Sequence, residues 1–379
     1  MKSRRLWPAA SVAIIAMLVV AFASSESAVR EGAAGSERAA GMTLPMPVFH
    51  HIHINSVSPE RSLEWYTNYW PKGTKTTFAG FPAFYDDIYL LYTKVGVQAR
   101  GAFDRKLERS VPQSAFWTFG STFEGTNTNA LRDRISKLDP KQFQLVTLYG
   151  GPDGKQSALH SLALPMGDQL LTGTAIKQRS EQEKQKPRPA PTAGLDFAYL
   201  VDPDGMLVEV TAGKADSFRG HTHFWGERPL CTANWHVEHL GAEFPPTPNT
   251  FNTGLTFRGG KWDPCDVPTG EVTYPTYMRP GQLRIPAGNA RIANAGWLWY
   301  PRQCRAGRCG PGNDQPLARS RGQVVDHIGL TYPDLDAVIA HLKPKKVPIL
   351  DGPYRFADTR AILIEDLDGL AFELIEARN

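Results

Sequence analysis

The chain is poor in cysteine. It has four in 379 residues. No two stand as Cys-x2-Cys, the spacing of thiolate metal clusters, so a cysteine-held metal is set aside. All four lie between Cys231 and Cys309, which fits disulfides formed in an oxidising compartment. Cys304 and Cys309 flank a turn-like Arg-Ala-Gly-Arg, so that bridge is favoured, with Cys231–Cys265 as the remainder. A surplus of charge is missing too. The formal net charge is +4, and Lys2, Arg4 and Arg5 supply three of those charges. No basic field is left for nucleic acid or for an anionic membrane. Charged residues make up only 21% and hydrophobic ones 41%, which excludes global disorder and allows a buried core. The length allows two or three domains.

What is present begins with a leader. Lys2-Ser3-Arg4-Arg5 is a basic start, an apolar run follows from about Ala9 to Ala23, and Ala21-Phe22-Ala23 is a small-x-small cleavage pattern. Residues 1–23 therefore read as a signal peptide. The run is short for a bilayer span of about 20 residues, so the rival reading, an uncleaved anchor, is the weaker one. The expected product is exported, periplasmic or secreted, with no stable membrane insertion after cleavage. Residues 24–46, rich in Ala, Gly, Ser and Glu, read as a flexible tether.

Order is expected from Pro47. Val48–Ile54 is a strand candidate, and Ser58-Pro59 looks like an N-cap with Pro at the first helical position. Strands are expected near Thr76–Phe78 and Phe84–Tyr92, giving a βαβββ unit. A second unit opens with Ala115–Phe119, continues with a helix over Asn129–Leu138 and a strand over Phe143–Tyr149, and carries an exposed insertion over Lys177–Thr192. It ends in Asp202-Pro203-Asp204-Gly205, where Pro presets φ and Gly accepts a positive one. The third unit repeats the first at an offset of 170. His51, His53, Pro59 and Trp65 fall on His221, His223, Pro229 and Trp235. The fourth, from Val324, repeats the end of the second at an offset of 164, with Asp366-Leu367-Asp368-Gly369 followed by Glu373 where the second has Glu209.

With a histidine on a first strand, eleven residues before a Ser-Leu-Glu-Trp-Tyr helix, and an Asp-x-Asp-Gly-x3-Glu ending, the sequence resembles the vicinal oxygen chelate superfamily of glyoxalases, bleomycin-resistance proteins and extradiol dioxygenases. The resemblance implies an α+β fold of two tandem domains, each a pair of βαβββ units forming a cup. Taken in order, the pairs would be 47–213 and 218–379. It also implies a divalent metal, Fe2+, Mn2+ or Zn2+, held in the second cup by His221, His327 and Glu373. In the first cup only His51 and Glu209 match, with Phe116-Trp117 where a partner histidine would stand, so that site is expected to be degenerate. His53 and His223 share the cup face by strand alternation, and His223 could carry protons near neutral pH. His50 should face the other way. The activity implied is that of a metal-dependent enzyme, dioxygenase- or lyase-type, acting on a small substrate chelated through adjacent oxygens. Leu363 stands where the extradiol pattern has a Tyr, which argues against simple ring cleavage. The alternative is a non-catalytic protein that holds a small ligand, with Phe116, Trp117, Trp225, Trp297 and Trp299 able to line the cups.

Overall fold

The computed structural model describes residues 44–104, 109–124, 197–218, 221–244, 288–293, 295–301 and 316–377. It also describes the shorter pieces 134–135, 137–139, 149–150, 156–157, 256–258, 260–263 and 265. The leader, residues 24–43 of the expected tether, the insertion, most of the second unit's expected helix and Phe143–Tyr149 strand, and Cys304 and Cys309 lie outside these residues, while Leu44, at the end of the expected tether, is packed in the core.

The first unit is β1 (Val48–Ser56), α1 (Pro59–Tyr69), β2 (Thr74–Phe78), β3 (Phe81–Asp86) and β4 (Ile88–Lys94). A short ribbon, β5 (Phe103–Asp104) and β6 (Arg109–Ser110), leads to the second unit. That unit has β7 (Phe116–Glu124), β8 (Tyr149–Gly150), β9 (Gln156–Ser157), β10 (Phe197–Val201) and β11 (Leu207–Gly213). The third has β12 (His221–Gly226), α2 (Pro229–Leu240), β13 (Thr256–Arg258), β14 (Lys261–Asp263), β15 (Gly288–Ile292) and β16 (Ala295–Pro301). The fourth has β17 (Val325–Tyr332), α3 (Leu335–Leu342), β18 (Ile349–Phe356), β19 (Thr359–Glu365) and β20 (Ala371–Glu376). Proline opens both α1 and α2, where an N–H would lack a partner anyway. Ser58 makes no side-chain cap, whereas Asp334 caps α3 through the Ala337 amide.

The units do not pair in chain order. One sheet runs β18-β19-β20-β17-β1-β4-β3-β2, joining the fourth unit to the first, and the other runs β10-β11-β7-β12-β16-β15, joining the second to the third. The sheets therefore cut across the expected spans 47–213 and 218–379. The repeat identifies equivalent strands. It cannot tell which of two equivalent strands, β7 or β17, lies antiparallel beside β1, and the structure selects β17, with His53 opposite His327. In the second sheet β12 lies antiparallel beside β7, with His223 opposite Thr118.

The first sheet curls until its edges meet. Seven strand spacings separate β18 from β2, roughly 34 Å if the sheet were flat. Yet the rings of Phe356 and Phe78, on those two edge strands, have centroids 5.7 Å apart. Eight strands so closed leave an interior that side chains nearly fill, or that admits one small ligand. The other faces of both sheets and the helices share one core. Phe49 of β1 meets Phe119 at 6.3 Å and Trp297 at 6.2 Å, and Trp297, Trp299 and Phe116 belong to the same buried cluster.

Two symmetric ties lock the sheets to each other's helices. Asp202 receives the Asp204 and Met206 amides and the Tyr66 hydroxyl of α1, while Asp204 receives the Ser62 hydroxyl at 2.6 Å. Asp366 likewise receives the Asp368 and Leu370 amides and sits 3.0 Å from His236 of α2, while Asp368 receives the Thr232 hydroxyl at 2.6 Å. The glycines closing these turns, Gly205 and Gly369, have φ of 90° and 76°, as the Asp-x-Asp-Gly spacing predicts. A disulfide joins Cys231 to Cys265, tying α2 to the segment after β14.

Candidate metal centre

Strand alternation turns Ile52 and Ile54 into the core and His51 and His53 into the cup of the first sheet, called the first cup from here on and built from the first and fourth units. A bulge on β1 between Phe49 and His51 breaks that alternation at His50. His50 therefore lies against the cup residues Phe78, Tyr89 and Phe356, 2.8 Å from His51 ring to ring nitrogen, and does not face the other way. From the fourth unit come His327 on β17 and Glu373 on β20. The nitrogen ligand atoms of His51, His53 and His327 all fall within 4.8 Å of one another, and Glu373 Oε2 lies 3.5 Å from His51 Nε2. His51, His53, His327 and Glu373 are 0%, 5%, 8% and 4% exposed, so water does not stand in for missing partners.

A glycine makes this convergence possible. Gly329 sits on β17 between His51 on one side and Glu373 on the other. A Cβ there would lie 2.1 Å from the His51 ring. With no side chain in the way, the imidazole leans across the middle strand toward the carboxylate.

Surrounding groups hold the outer atoms and leave the inner ones bare. His327 Nδ1 is bound at 2.6 Å to Asp326 Oδ1, and Asp326 is held in turn by Arg321 at 3.0 Å and by the Gly322 amide. The Tyr354 hydroxyl donates to Glu373 Oε1, and His53 Nε2 is bound to Thr93 Oγ1 at 2.7 Å. That leaves His51 Nε2, His53 Nδ1, His327 Nε2 and Glu373 Oε2 buried with no hydrogen-bond partner. Buried polar atoms are nearly always partnered, and four orphans facing one region are what a cation would satisfy.

The electrostatics suit metal ligation. Burial, aided by the neighbouring histidines, holds the His51 pKa well below its usual value, and burial then His327 push His53 down to about 3. Both rings are neutral at physiological pH, as a metal ligand must be. Burial lifts the Glu373 carboxyl, opposed by His327 and Tyr354. For Asp326 burial acts upward but is outweighed, chiefly by the hydrogen bond and charge of His327, and the carboxyl sits at about 2.

The expected trio of His221, His327 and Glu373 is not brought together. His327 and Glu373 converge with His51 and His53 in the first sheet's cup, and His221 lies in the other. His51 and Glu209, expected as a degenerate pair, are likewise in different cups. Glu209 stands with His221 at 3.2 Å and His223 at 3.6 Å. His223 is buried, which pushes its pKa down to about 3 against the opposing charge of Glu209, so its ring is uncharged near neutral pH. Trp297, Trp299 and Phe116 pack the shared core rather than a cup, while Trp117 faces His223 at 5.2 Å and stacks on Trp225 at 4.2 Å. Sequence reasoning missed Asp326 and Tyr354. Asp326 carried a signal, an acid directly before a candidate ligand. Tyr354 carried none, because it reaches Glu373 from two strands away.

No family model and no curated protein matches the chain. Solved structures are similar to it in form. Glyoxalase I from Zea mays is 12% identical, with a TM-score of 0.47 over 87% of this chain and 92% of that one. A glyoxalase/dioxygenase from Nostoc punctiforme is 13% identical, with a TM-score of 0.25 over 42% of this chain and 90% of that one. A fosfomycin resistance protein from Listeria monocytogenes, solved with Mn(II), is 14% identical, with a TM-score of 0.25 over 41% of this chain and 88% of that one. These likenesses are too distant to bear on the site, which rests on the side chains described above.

Proposed function

We propose that the chain is a metal-dependent enzyme of the vicinal oxygen chelate kind, with a divalent ion held in the first sheet's cup by His51, His327 and Glu373, and with His53 beside them. The observation that carries this reading is the set of buried atoms without partners, His51 Nε2, His327 Nε2 and Glu373 Oε2. Imidazole and carboxylate donors suit Fe2+, Mn2+ or Zn2+. Such an ion, when bound, supplies a Lewis acid that holds and polarises two neighbouring oxygens of a small molecule.

The rest of the work falls to side chains. Asp326 fixes the His327 tautomer so that Nε2 is the free nitrogen. Tyr354 holds one carboxylate oxygen of Glu373 and leaves the other. Phe356 stacks on His51 at 5.7 Å and Phe81 meets His53 at 4.7 Å, edge on, so the polar cluster is walled by aromatic rings that keep out bulk water. Ala83, Leu91, Ala361 and Ile375 complete an apolar lining on that face. A small substrate with adjacent oxygens and an apolar body suits such a cup, and the basic start and apolar run of the leader support export of the chain.

Metal analysis of protein purified without added metal tests the reading, with His327→Ala beside it. The substitution should lower the content by one equivalent per chain, and equal content in both would contradict it. Turnover of catechols or of α-hydroxyketones by the metal-loaded chain separates the enzyme from the alternative, a ligand-holding protein, for which binding without turnover is expected.

A further inference from the structure

The second cup keeps the chelating device of the first while losing its partner histidine. Thr118 stands where His327 would, opposite His223, and its hydroxyl is committed to the Leu207 carbonyl at 2.9 Å. Trp117 takes the bulge position that Asp326 has in the first cup. Yet the glycine notch remains. Gly120 on β7 lies beside Glu209 in register, and a Cβ on it would come within 2.6 Å of the His221 ring. His221 leans over that gap as His51 leans over Gly329. Its Nε2 comes within 3.2 Å of Glu209 Oε1, and His223 Nδ1 comes within 3.6 Å of Glu209 Oε2.

From this we infer that the second cup is a separate divalent-cation site, with His221, His223 and Glu209 as its ligands. One ligand atom from each of these residues falls within 4.8 Å of the others, as ligands of a single ion must. Two imidazoles and one carboxylate are a sufficient protein set for Zn2+, with further positions open. The site is built rather than incidental. Glu209 and His223 are 5% and 7% exposed, so two of the three ligands are held in place by packing rather than lying on the surface. His221, by contrast, is only partly buried, with its side chain 21% exposed, which leaves an entry path. The two cups differ in chemistry. The first surrounds its cluster with Asp326, Tyr354 and Thr93, and the second backs it with the Trp117–Trp225 stack.

Titrating Co2+ into chelator-stripped full-length protein tests the inference, read by the stoichiometry of tight binding. The wild type should take two ions per chain, His327→Ala one, and Glu209→Ala one. His221→Ala, at a partly exposed position where misfolding is least expected, should also leave one. Circular dichroism confirms that each variant is folded. If the wild type takes one ion and His327→Ala takes none, the second site is refuted and the first stands. If the wild type takes one ion that survives His327→Ala but not His221→Ala, the second site stands and the reading of the first cup fails. No binding at all overturns both.

Discussion

His327 is poised by its neighbours more than by its own position. The bond from its Nδ1 to Asp326 leaves Nε2 as the only atom free for a ligand. Groups that orient a ligand in this way typically matter 10- to 100-fold in metal affinity. Asp326→Ala should therefore weaken metal binding by about 10- to 100-fold, measured by competition with a chromophoric chelator. Unchanged affinity would reduce Asp326 to a fold-holding role. Tyr354→Phe probes Glu373 in the same way and removes only a hydroxyl. It should weaken metal binding while the protein stays folded. The hydroxyl's hydrogen bond to the carboxylate contributes about 1.5–3 kcal/mol, a loss that the partial exposure of Tyr354 to water moderates.

At the scale of the strand, the decisive residue is a glycine. Gly329→Ala would put a methyl group 2.1 Å from the His51 ring, in a strand pinned on both sides by β1 and β20. The imidazole must then swing away from Glu373. The expected result is loss of the first cup's metal with the sheet intact, read by metal content and circular dichroism. Gly96→Ala, where nothing lies within 4 Å, is the matched control. The elements themselves were largely legible in the sequence. The Pro-opened helices, the alternation in β1 and the Asp-x-Asp-Gly turns follow from local chemistry. The bulges at His50 and Asp326 were not legible, since a bulge depends on the partner strand's register. The convergence of His51 with His327 was hidden for a related reason: repeats mark which strands are equivalent, and only the packed sheet decides which become neighbours.

Across the whole molecule, the two sheets are joined by the paired ties of Asp202–Asp204 to α1 and Asp366–Asp368 to α2. Burial, with the Asp204 charge adding to it, pushes the Asp202 carboxyl up to about 8, and burial with Asp366 pushes Asp368 up to about 7. A carboxyl raised above its unfolded value, near 3.9, stabilises the fold in its protonated form. That contribution is whole below the unfolded value and is lost as pH rises through the folded one. Melting temperature should therefore fall from about pH 4 to about pH 8 and level off above that, and Asp202→Asn should flatten that decline. A steeper decline in the variant would contradict this account of the ties. The central claim concerns the first cup, and one measurement addresses it most directly: anomalous X-ray scattering, at the metal's absorption edge, from crystals of the metal-loaded protein. The account predicts a peak among His51 Nε2, His327 Nε2 and Glu373 Oε2. A cup with no peak there, in crystals whose metal is accounted for elsewhere, would contradict it.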